Sequence, residues 1–87
     1  MPIIEKTTVK EVVIKALKEV GDFDTDNIEN FSFVNFKELH IATFLLELSK
    51  EIEARGFELA LNQDIGNRWN TAGDCIDYII KNAAKPV

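Results

Sequence analysis

Eighty-seven residues, 46% hydrophobic and 29% charged, suit one small globular domain and leave no room for a second core. A formal charge of −5, with ten Lys and Arg side chains scattered along the chain, argues against a nucleic-acid partner, which is gripped through clustered cations. The apolar run Phe44 to Leu46 is far short of the about 20 residues that cross a bilayer, and "MPIIEKTTVK" has no secretory pattern, so no membrane partner and a cytoplasmic location are expected.

From Thr8, the residues Val9, Val12, Val13, Ala16, Leu17 and Val20 recur every three or four positions, which predicts a first helix with one apolar face. Thr8 and Glu11 have the spacing of a capping box, and Gly21 supplies the stop. Turn formers and four acids then break the period in "DFDTDNIENFSFVNF". This stretch is expected to be a long loop whose Phe23, Ile28, Phe31, Phe33 and Phe36 cover the core. Asp22, Asp24, Asp26 and Glu29 lack the glycine and distal glutamate of a calcium loop and read as solvated charge.

Asn35, three residues before Glu38, marks a second helix start. Leu39, Ile41, Ala42, Phe44, Leu45, Leu46, Leu48 and Ile52 follow until Gly56, an apolar surface so broad that this helix is expected to sit centrally. Glu51 and Arg55 are spaced to pair along it. "FELALNQDIGNRWN" predicts a short extended stretch and a short third helix ending near Trp69, itself a core anchor. Thr71 opens a fourth helix with Ala72, Cys75, Ile76, Ile79, Ile80 and Ala83 on its inner face, Asp74 and Lys81 suiting its dipole, and Pro86 beyond its end. Residues 1–87 thus read as a single all-α domain, a four-helix bundle with a long loop between helices one and two and a short third helix.

Thr71, Asp74, Ile76, Asp77, Tyr78 and Ile79 resemble the last helix of acyl carrier proteins, and Leu39, Ala42, Phe44, Leu45, Leu48 and Ile52 are similar to that family's helix-two spacing. The resemblance implies an acyl-carrier-protein-like bundle. In that family a 4′-phosphopantetheine arm is attached to a serine at the start of helix two, usually in Asp-Ser-Leu. Here Lys37, Glu38 and Leu39 occupy that place, and a carboxylate cannot form the phosphodiester. Glu38 has an ordinary role as the third residue of a box led by Asn35. Ser32 and Ser49 are the alternative attachment residues.

A catalytic role is not expected: His40 is the only histidine, Cys75 reads as a small buried hydrophobe, no zinc set can be assembled, and the four glycines form no phosphate loop. The leading expectation is a monomeric carrier-like domain without a cofactor. It would act through protein contacts with synthase or acyltransferase components of fatty-acid or polyketide-type biosynthesis, using Glu38, His40, Thr43, Glu47 and Lys50. One alternative is a functional carrier bearing the arm on Ser32 or Ser49. Another is an unrelated helical regulatory or assembly module, dimeric through exposed phenylalanines.

Overall fold

The computed structural model describes residues 4–84, in the order α1 (Lys6–Val20), a 3-10 turn (Ile28–Asn30), α2 (Glu38–Ala54), α3 (Gln63–Gly66) and α4 (Ala72–Asn82). The chain is mostly helical, as expected; the expected role of Pro86 lies outside the described residues. β-pairing among the described residues is confined to two isolated antiparallel bridges, Ser32 with Thr71 and Glu58 with Ala84.

The first helix opens half a turn before Thr8. Glu5 takes the cap position without a side-chain hydrogen bond, so the expected Thr8 and Glu11 box does not form. Ile4 and Val9, one position before the cap and four after it, are both buried. That is the spacing of a hydrophobic staple, so apolar packing rather than a hydroxyl sets the entry of α1.

The second helix also starts away from its expected cap. Lys37, not Asn35, precedes it, and Glu38 is its first residue rather than its third. A lysine side chain offers no acceptor, so only one arm of a box exists here: the Lys37 N–H donates to Nδ1 of His40 at 3.0 Å. Asn35 is displaced because Phe36, next to it, turns into a cluster with Phe23, Phe31 and Phe33, with ring centres 5.1 to 5.8 Å apart. At the other end, Gly56 has φ of +83°, while the Gly56 and Phe57 amides donate to the carbonyls of Glu53 and Ile52. This Schellman closure satisfies carbonyls that the helix leaves open.

The core combines Val9, Val12, Val13, Ala16 and Leu17 of α1 with Ile41, Phe44, Leu45, Leu48 and Ile52 of α2 and Ala72, Cys75, Ile76 and Ile79 of α4. The central position belongs to α1, which packs against both α2 and α4; α2 meets α1 and the small α3. As expected, α2 has more than one neighbour, but its Leu39, Ala42 and Leu46 point to solvent rather than into them.

The third helix is a single turn ending at Gly66, short of Trp69, which is buried as expected. Its cap is Asn62, whose Oδ1 accepts from the Ile65 amide at 2.9 Å. The start of α4 agrees with the sequence reading. Thr71 Oγ1 accepts from the Asp74 amide, and Asp74 Oδ2 accepts from the amides of Thr71 and Asn70. The long loop is tied to this corner by Ala72 N–H to the Phe31 carbonyl, 2.7 Å, and Phe33 N–H to the Asn70 carbonyl, 2.9 Å.

Candidate functional site at the second helix

With Ile41, Phe44, Leu45, Leu48 and Ile52 turned inward, the opposite side of α2 must carry whatever remains. On it stand Leu39, 77% exposed, and Leu46, 56% exposed, with exposed Ala42 between them. Spacings of three and four residues stack these groups on one side of the helix. Val34, 81% exposed, leads into the same end of α2 from the loop. The sequence pattern counts Leu39, Ala42 and Leu46 in one broad apolar surface with the buried residues. The signal that separates them is their phase: they lie about two residues out of step with the five that are buried, and one stripe cannot hold both sets.

The carboxylate of Glu38 is exposed at the positive tip of α2, where its charge suits the helix dipole. Lys37 and Leu39 flank it in solvent, and Gln63 Nε2 donates to its carbonyl oxygen at 3.4 Å, tying α3 to this tip. The tip therefore presents an acid and no hydroxyl. Ser32 lies six residues upstream, outside the helix, where its Oγ accepts from the Val34 amide at 3.2 Å. It stands at the lip of a cleft of about 350 Å³ lined also by Phe33, Val34, Asn67, Trp69 and Asn70. Ser49 is half-buried well inside α2.

The remaining residues expected to meet a partner fall into two groups. Glu38 and Lys50 are exposed; His40, Thr43 and Glu47 are half-buried. His40 is engaged rather than merely solvated: it caps through Nδ1 and packs on Phe36 with ring centres 5.5 Å apart. Glu47 pairs with Lys50 at 3.4 Å.

Other ionisable groups are used structurally. Glu51 joins α2 to α1 through Lys15, 3.1 Å, and closes on Arg55, 2.8 Å; the Arg55 hydrogen bond and then that from Lys15 hold its carboxyl below the usual range. Glu29 binds Lys6 and Lys10, chiefly Lys6, and is lowered likewise. Cys75 is enclosed, and burial pushes its thiol well up, which disfavours the thiolate. Among the described residues no three His, Cys, Asp or Glu side chains converge as a metal set, and no helix is long and apolar enough to cross a membrane.

The phenylalanines of the long loop are not exposed: Phe33 is buried, and Phe23, Phe31 and Phe36 are half-buried in their own cluster. A dimer built on them loses its surface. No family model, curated protein or solved structure matches this chain.

Proposed function

We propose that this domain is a non-catalytic, carrier-like docking module that works through protein contacts along the outer side of α2. The observation that carries the reading is the solvent-facing stripe Leu39, Ala42 and Leu46, headed by a carboxylate where a carrier needs a hydroxyl. Leucines cost free energy in water, and a stripe of them on a well-anchored helix gives a partner apolar area at little ordering cost. The resemblance of the helical pattern to acyl carrier proteins nominates synthase or acyltransferase components as partners, and no prosthetic group takes part.

A second reading has one observation in its favour. Ser32 is exposed at the mouth of a cleft, so a 4′-phosphopantetheine arm attached to its oxygen would have space beside it.

Two measurements test these readings. After co-expression with a broad phosphopantetheinyl transferase, the intact mass is expected to stay that of the bare chain. A mass gain abolished by Ser32→Ala establishes the second reading. Capture from the native host is expected to retain synthase or acyltransferase components with the wild-type domain and to lose them with Leu39→Glu/Leu46→Glu. Retention of the same proteins by the doubly substituted domain rejects α2 as the docking surface.

A further inference from the structure

The amide of Lys37, just ahead of the first turn of α2, has one hydrogen-bond partner among the described residues, Nδ1 of His40 at 3.0 Å. A backbone N–H only donates, so Nδ1 must accept, and it accepts only while it carries no proton. In the neutral ring the proton then sits on Nε2. A second proton, taken up at Nδ1, sets a donor against a donor, and ring and amide must part.

The surroundings favour that parting. The new charge would arise in the first turn of α2, the end at which the helix dipole opposes a cation, close in sequence to the ammonium of Lys37. Groups of opposite sign offer little to offset it. Glu38, two residues before His40, leaves the helix on another side. Glu47, about two turns on, is committed to Lys50. In the loop, Asp22 and Asp24 flank Phe23; Asp22 is exposed, and Asp24 accepts from the Asp26 amide at 3.0 Å. His40 stands in no ion pair among the described residues. What packs on its ring is Phe36, itself 5.2 Å from Phe23, and the ring is half-buried, so solvent protons reach it. The turn held in this way carries Glu38 and Leu39, the head of the outer side of α2.

We infer that His40 is a proton-operated latch on the tip of α2. Neutral, it holds Glu38 and Leu39 in place for a partner; protonated at Nδ1, it lets go of the Lys37 amide and the tip frays. As regulation of docking this rests on the reading of α2 as the docking surface, whereas the latch itself is a property of the chain alone.

The test is therefore made on the full chain without a partner, by proton–nitrogen correlation and hydrogen-exchange spectra from about pH 8 to about pH 5, where imidazoles exchange their proton. At the upper limit the ring is expected as the Nε2–H tautomer. As it titrates, the Lys37 amide should shift with the same midpoint. Its protection, corrected for the intrinsic pH dependence of exchange, should fall by about five-fold, the scale of a lost helix cap. The Glu38 and Leu39 amides should shift with it. His40→Gln keeps an acceptor that takes up no proton in this range and should hold the Lys37 amide protected throughout, while His40→Ala should leave it unprotected at every pH. A Lys37 amide that ignores the imidazole titration, or that shifts alike in wild type and His40→Gln, overturns the latch. Failure of the docking reading shows elsewhere, in partners retained by Leu39→Glu/Leu46→Glu, and leaves these spectra unchanged.

Discussion

Gly73 lies where the long loop crosses the first turn of α4, and a Cβ built on it would stand 2.7 Å from the backbone carbonyl oxygen of Glu29. A flexible side chain could yield; a carbonyl in a 3-10 turn pinned through Phe31 and Ala72 cannot do so without moving the loop. Alanine is the better helix former by about 1 kcal/mol, so on propensity alone Gly73→Ala would stabilise α4. The close approach reverses that sign. Gly73→Ala should lower stability by about 1 to 3 kcal/mol, the cost of overpacking, measured by thermal or denaturant unfolding. A melting temperature at or above that of the wild type would show that the loop is free to lift. In the sequence this glycine is one of four scattered ones, because the need for it comes from a residue 44 positions away and no local pattern records that approach.

The elements were legible where their signals are local. Thr71 and Asp74 cap α4 within one turn, and its start and inner face follow from those local features. The starts of α1 and α2 depart from the capping pattern for another reason: the Ile4–Val9 spacing and the phenylalanine cluster fix them through apolar packing, which overrides the nearby Thr8 and Asn35. On α2 the sequence shows how much apolar surface there is, but not how it divides between core and solvent, since hydropathy does not distinguish a leucine that enters the core from one that faces water. Adjacent residues make this division measurable. Leu45 is buried against the core and Leu46 is not. Leu45→Ala should cost about 2 to 5 kcal/mol through lost burial and the cavity left behind. Leu46→Ser should stay within about 0.5 kcal/mol of wild type while weakening any contact made along the outer side. Equal losses in unfolding experiments on the two variants would contradict the phase of α2. The acid at its tip is legible in the sequence; the open flank that could make it part of a surface is not.

At the scale of the whole molecule, two carboxylates hold separate parts to α1. Glu29 brings the 3-10 turn to Lys6 and Lys10, and Glu51 brings α2 to Lys15. Both carboxyls lie below their ordinary value of 4.5, each first through a hydrogen bond, from Lys6 and from Arg55 respectively. A carboxyl lowered in the folded state stabilises it above the unfolded value and loses that contribution as pH falls through the folded value. Stability should therefore decline as pH drops below 4.5. Lys6, raised above 10.5 chiefly by its hydrogen bond to Glu29, works the other way: its contribution is present below 10.5 and disappears as pH rises through the raised value. Glu29 and its partners are open to solvent, so the Glu29 share should be small and should shrink in salt. Glu51 is only 18% exposed and bridges two cations, so it should carry more of the acid dependence. Melting temperatures followed from pH 7 downward should fall less steeply for Glu51→Gln than for the wild type below pH 4.5, with Glu29→Gln closer to the wild-type curve. Identical slopes for Glu51→Gln and the wild type would mean that the link from α2 to α1 is carried by the buried apolar face of α2 without measurable help from the ion pair.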